Sequence, residues 1–224
     1  MTKIETFMAG RGPASRGFYF VVRAIIASLT QAWTRMSIDG REHIPATGAF
    51  VLAPVHRSNM DAPIVSCLTR RRMRFMGKDT LWRGRALSWI FSSLGGFPVA
   101  RGTADREALK RCIAVVESGE PLVMFPEGER KAGPVVQPLF DGAAYVALKA
   151  GVPIVPVGIG GSERVMPKGA KFIFPRKVHV SVGAPIATAA SRAGRVPRSA
   201  IHAVSGELHA TLQRLFDEAA SRAG

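Results

Sequence analysis

Acidic residues are scarce in this chain. There are 16 against 31 lysines and arginines, for a net charge of +15 over 224 residues. Such a balance implies an anionic partner: nucleic acid, an anionic lipid surface or a phosphorylated substrate. Zinc-finger spacing, a helix-turn-helix signal and aromatic-rich RNA-binding strands are all missing, so nucleic acid is not the expected partner. Only two cysteines occur, Cys67 and Cys112, both in apolar helical contexts. They read as buried free thiols, which suits a reducing, cytosolic side. No His/Cys/Asp cluster has metal-ligand spacing, so no metal is expected. The first residues lack the apolar core of a signal peptide. Low-complexity tracts and internal repeats are absent as well.

What is present is a chain of 47% apolar residues, enough for one α/β domain with a full core. The apolar run Ala49-Phe50-Val51-Leu52-Ala53 reads as a buried strand. Further strands are expected at 37–40 (a short edge strand), 75–77, 97–99, 121–125, 152–158 and 177–182. Prolines in 152–158 argue for an edge or strand-end position. His179 falls on the polar face of the last strand and reads as structural. Helices are expected at 81–94, at 103–118 with Thr103 as N-cap, and at 199–220. The last buries Ile201, Val204, Leu208, Leu212, Leu215 and Phe216, leaving His202 and His209 solvated. The expected fold is a single α/β domain, a mixed, mostly parallel sheet flanked by helices, with an amphipathic N-terminal helix. Residues 1–36 form the tail and that helix, and 37–224 the main domain, as one unit.

Charge is uneven along the chain. Residues 1–112 hold 18 basic residues against 7 acids and 113–224 hold 13 against 9, so +11 of the +15 lies in the first half. There, a helix is expected from Arg16 to Met36. Phe18, Val22, Ile25, Ile26, Leu29, Trp33 and Met36 share an arc of about 100°, with Arg16, Arg23, Gln31 and Arg35 opposite. Its longest uncharged run, Ala24 to Thr34, has 11 residues, whereas a bilayer span needs ~20. The arc covers the protein's own core, lies in a membrane interface, or does both on one helix. The basic run Arg70-Arg71-Arg72-Met73-Arg74 is expected to close a helix and to attract anionic headgroups.

The chemistry concentrates at strand ends. His56 sits where the 49–53 strand ends and the helical segment Ile64–Leu68 begins, and Asp61 follows five residues later. A histidine oriented by a carboxylate takes a proton from a hydroxyl near neutral pH. The competing reading makes Ser58 an N-cap, Asp61 a dipole partner and His56 a loop residue. Gly95 to Arg101 is a glycine turn, a short strand and a terminal arginine. The 121–125 strand stops at Pro126-Glu127-Gly128-Glu129-Arg130, where Gly128 frees the turn. A base, an acid and two arginines on one rim suit transfer chemistry on a phosphorylated hydroxy compound. No serine has a nucleophile-elbow setting, so direct attack by a substrate hydroxyl is expected rather than an acyl-enzyme.

These stretches resemble the glycerolipid acyltransferases of the 1-acylglycerol-3-phosphate acyltransferase type. The family's NHxSxxD reads Val55-His56-Arg57-Ser58-Asn59-Met60-Asp61. Its glycine–strand–arginine motif reads Gly95 to Arg101, and its FPEGxRS reads Phe125 to Lys131. Its VPIVPV strand reads Val152 to Val157 unchanged. Lys78 resembles the family's basic residue before the apolar helix, and Phe140–Ala144 its FKxGA segment. The resemblance covers roughly residues 37–187. Val55 stands where the family has asparagine, and Lys131 where it has serine.

The resemblance implies acyl transfer to lysophosphatidic acid, giving phosphatidic acid. The donor is acyl-coenzyme A or acyl-carrier protein, and no cofactor is needed. His56 would act as base and Asp61 would hold its imidazole. Lys78, Arg101 and Arg130 would bind the acceptor phosphate, and Glu127, beside Gly128, would orient the glycerol portion. The implied partners are a lysophospholipid acceptor, the acyl thioester and an anionic membrane surface. The expected location is the cytoplasmic face of a membrane, peripheral or monotopic, without a span. The same chemistry on another lysophospholipid, glycerol-3-phosphate or a glycolipid is the alternative. A non-catalytic lipid-surface binding protein is the alternative of another class.

Overall fold

Two apolar strands form the frame. Val51–Pro54 (β2) and Ile154–Gly160 (β6) are buried along their whole length, as strands covered on both faces must be. They pair in parallel inside a seven-stranded sheet. The remaining strands are Ser37–Asp39 (β1), Arg74–Lys78 (β3), Gly96–Val99 (β4), Leu122–Val123 (β5) and His179–Val182 (β7). Their order is β1-β7-β6-β2-β5-β3-β4. Strands β2 to β6 are parallel, β7 is antiparallel to β6, and the edge strand β1 runs with β7. The computed structural model describes residues 10–99, 106–167, 169–189 and 195–224. The expected cap at Thr103 lies outside them.

The helices are Pro13–Thr34 (α1), Asp61–Ser66 (α2), Gly84–Ser93 (α3), Arg106–Glu117 (α4), Gly142–Ala150 (α5), Ser162–Val165 (α6) and Arg198–Ala223 (α7). From β2 through β3 to β4 the chain steps one way across the sheet. From β4 through β5 to β6 it steps back. Right-handed crossovers therefore put α2 and α3 on one face and α4 and α5 on the other. Helix α1 packs on α2 and α3, and α7 packs on α5 and β6. The α7 approach is close: a Cβ on Gly158 or Gly160 would lie 2.2 Å from the carbonyl oxygen of Leu215 or Ala219. Only glycine lets helix and strand backbones meet this way.

Three expectations are corrected. First, β6 is not an edge strand; it is paired on both sides. Its Pro156 is tolerated because the Pro156 carbonyl accepts from Gly183 N, just past the last residue of β7. The missing N–H faces that same side, where the ladder has ended. Second, Arg70–Arg74 does not close a helix, since α2 ends at Ser66 and Arg74 opens β3. Arg74 is fully buried, with its Nε 2.5 Å from Glu120 Oε2. The same carboxylate takes Arg72 at 3.1 Å and Arg11 at 3.5 Å. Third, His179 is buried rather than on a polar face, and its Nδ1 lies 2.8 Å from Ser37 Oγ.

Helix α1 forms as its period predicts, but its apolar arc covers the domain only in part. The buried positions are Ser15, Tyr19, Thr30 and Thr34. Of the arc, Ile25, Leu29 and Trp33 stay between 49% and 65% exposed, while Phe18, Val22 and Ile26 are half-buried and Met36, just past the helix, is buried in the core. Tyr19 Oη donates to the Arg71 carbonyl and Arg23 Nε to that of Thr69, so polar side chains fasten the helix to the domain. Phe18 is half-buried, with its ring centroid 4.9 Å from that of Trp89 on α3.

Candidate active site

The carboxyl ends of β2 and β5 lie side by side. The chain leaves β2 toward α2 on one face and leaves β5 toward α5 on the other. A crevice opens at such a reversal of winding, and in open α/β sheets that is where ligands bind. His56 stands two residues past β2, and Glu127, Gly128 and Arg130 stand on the turn after β5. Two backbone bonds join the segments: Met124 N to Leu52 O at 2.9 Å and Lys131 N to His56 O at 2.9 Å.

The loop folds back so that His56 and Asp61 meet. His56 Nδ1 is 2.9 Å from Asp61 Oδ2. That oxygen also accepts from the backbone N–H of Arg57 at 2.7 Å and of Ser58 at 2.8 Å. Asp61 is fully buried while the His56 side chain is 19% exposed. The imidazole lies on the Phe125 ring at a centroid distance of 4.0 Å and an angle of 23°. With Nδ1–H donated to the carboxylate, Nε2 is the nitrogen left to accept a proton. Asp61 thus orients the imidazole and ties down two loop N–H groups, joining the two roles that the sequence left open. Ser58 is not the N-cap, because α2 begins at Asp61. Its hydroxyl accepts from Met60 N at 3.2 Å and donates to Met166 O at 2.9 Å.

Glu127 is placed differently from its expected role on the acceptor. Its side chain is fully buried, and both oxygens are occupied within the protein. Oε2 accepts from Arg57 Nη1 at 2.6 Å and from His56 N at 3.1 Å, and Oε1 accepts from Gln137 N at 3.0 Å. Arg57 is the residue that sequence reasoning passed over. Buried, it lies 4.7 Å over the Phe216 ring and donates to Val135 O at 3.2 Å. The available signal was a lone arginine between a buried strand and a helix, which needs a buried carboxylate to be tolerated.

Gly128 adopts φ +73°, and a Cβ there would lie 2.6 Å from the Phe140 ring. Both facts require glycine at this turn. Arg130 is half-exposed and has no ion-pair partner among the described residues, whereas Lys131 pairs with Glu129 at 2.8 Å. Lys78 is the last residue of β3, at the same rim. Arg101 lies outside the described residues.

The arrangement offers an oriented, partly exposed base and, on the adjoining turn, a guanidinium with no ion-pair partner among the described residues. Comparisons with known proteins agree with it. The Acyltransferase family profile matches residues 35–160. A chloroplastic 1-acyl-sn-glycerol-3-phosphate acyltransferase of Brassica napus, BAT2, is 28% identical over 163 residues, covering 71% of this chain and 47% of that protein. The mouse 1-acyl-sn-glycerol-3-phosphate acyltransferase alpha is 26% identical over 160 residues, covering 69% and 55%. The chain thus spans about half the length of these curated relatives. The crystal structure of the 1-acyl-sn-glycerophosphate acyltransferase PlsC from Thermotoga maritima superposes with a TM-score of 0.75 at 22% identity, covering 96% of this chain and 86% of that one.

Proposed function

Because the chain belongs to the acyltransferase family, we propose that it moves a fatty acyl group from an acyl thioester to the free hydroxyl of lysophosphatidic acid, releasing phosphatidic acid. The donor is acyl-coenzyme A or acyl-carrier protein. The observation that supports this best is the His56–Asp61 pair at 2.9 Å, with the His56 side chain partly exposed. Nε2 takes the hydroxyl proton as the oxygen attacks the thioester carbonyl, forming the new C–O bond. As the C–S bond breaks, the imidazolium returns the proton to the departing sulfur. Asp61 stabilises the imidazolium between these events. Arg130, with Arg101 and Lys78, binds the acceptor phosphate. Glu127 acts through Arg57 and the His56 N–H, as a positioning residue.

The acceptor is a lipid, so the protein works on a membrane, at its cytoplasmic face and bound peripherally. Helix α1 supports this reading. Its exposed apolar residues suit an interface, and Arg16 and Arg35 suit anionic headgroups. Among the described residues no helix is long and apolar enough to cross a membrane.

Thiol release from acyl-coenzyme A and from acyl-carrier protein, across a panel of acceptors, tests the reading. Release that depends on lysophosphatidic acid supports it. Release with glycerol-3-phosphate, another lysophospholipid or a glycolipid instead would move the same chemistry to that acceptor. No release with any pair would leave a lipid-surface binding protein.

A further inference from the structure

The exposed apolar residues are not scattered. Apart from those on α1 and α3, every exposed large apolar side chain of the described residues lies in a connection that follows the carboxyl end of β3, β5 or β6. That is the rim bearing His56. The most exposed is Phe172, at 75%, in the stretch Lys171-Phe172-Ile173-Phe174-Pro175-Arg176-Lys177 between α6 and β7. All seven residues are exposed, while Val178, which follows them, is buried. Three are large and apolar and three are basic, and residues 166–178 contain no acid.

The backbone holds this segment in place. Phe174 N donates to Val165 O at 2.7 Å, and Val178 N donates to Thr34 O, in the last turn of α1, at 3.1 Å. At its other end, Met166 O accepts the Ser58 hydroxyl two residues from His56. The loop therefore bridges the end of α1 and the loop that carries the base. Fixed apolar side chains bordered by cations, with no acid among them, are complementary to an anionic bilayer surface.

We propose that loop 171–177 is a second membrane-insertion element, which enters the surface of an anionic bilayer beside α1 and turns the His56 rim toward the lipid. One helix alone leaves the tilt of the domain on the surface weakly set, and a second contact next to the last turn of α1 restrains it. The proposal rests on the reading of a membrane-borne acceptor.

The test uses full-length protein with an environment-sensitive fluorophore on Ile173→Cys. Burial pushes the Cys112 thiol up to about 12 and raises that of Cys67, so the new thiol takes the label. A blue shift on anionic vesicles, quenched by lipids brominated along their chains, is expected. Phe172→Ser/Phe174→Ser and Lys171→Glu/Arg176→Glu/Lys177→Glu should each weaken vesicle binding at least tenfold without changing the melting temperature. Both should keep wild-type thiol release with a short-chain, monomeric acceptor and lose it with vesicle-embedded acceptor. An unshifted label, or unchanged binding by both variants, overturns the proposal. If wild-type protein releases no thiol at all, the acyl-transfer reading fails, and the vesicle binding alone decides the loop.

Discussion

Arg57 and Glu127 form an ion pair at 2.6 Å in which neither side chain reaches solvent. It fastens the residue after the base to the turn after β5, and Glu127 also holds the His56 N–H. Removing one partner leaves the other charge buried and alone, which costs about 3–5 kcal/mol. Glu127→Gln should therefore lower the melting temperature and reduce kcat, with the acceptor KM nearly unchanged. Steady-state kinetics beside thermal melts check this. A raised acceptor KM at unchanged kcat would return Glu127 to the acceptor.

His56→Ala should lose on the order of 10²–10⁴ in turnover and keep its fold, since the base is removed and no buried partner is stranded except Asp61. Asp61→Asn should lose both activity and stability, because one oxygen serves the imidazole and two backbone N–H groups. Rates and melts on the same preparations separate the effects. A fully active, less stable Asp61→Asn would leave Asp61 only its loop-fastening role.

Arg130→Ala should raise the acceptor KM more than the donor KM, because Arg130 has no ion-pair partner among the described residues. Arg101→Ala should behave alike. Varying each substrate in turn measures the difference, and equal losses for both substrates would reject the phosphate assignment.

Acid should loosen the entry to α1. Burial alone would raise the Glu120 carboxyl, but the hydrogen bonds and charges of Arg74 and Arg72 outweigh it and hold the carboxyl below its usual range. The stabilisation is then fully present above the ordinary carboxylate pKa of about 4.3 and lost as pH falls through the lowered folded value. Melting temperatures of wild type and Glu120→Gln should differ at pH 7 and converge only as the pH falls through the lowered folded value. A constant gap across that range would refute the linkage.

Much of the frame was legible because its signals are local. The buried strands, the His56 and Asp61 spacing and the turn at Gly128 all follow from runs and punctuation within ten residues. What was not legible depends on neighbours distant in sequence. The period of α1 defined its apolar arc but not its direction, because facing is decided by the Tyr19 and Arg23 contacts with residues 69–71. Pro156 looked like an edge signal because the end of β7 beside it, Val182, lies 26 residues later in the chain. Arg74 looked solvated because Glu120, 46 residues away, is what buries it. The role of Glu127 was obscured by the same cause, since its partners are Arg57 and His56 on another strand end.

The imidazole of His56 is confined on three sides: Nδ1 at Asp61, one face on Phe125, and its own main chain at Glu127. It has no freedom to turn and exchange one nitrogen for the other during a catalytic cycle. In the proposed reaction the atom that takes the acceptor's proton must then be the atom that delivers it to the sulfur, so both substrates have to be present around one point at the same time. Such an enzyme has a sequential kinetic order. Initial-velocity plots with both substrates varied should intersect, and labelled free thiol should not exchange into the donor until acceptor is added.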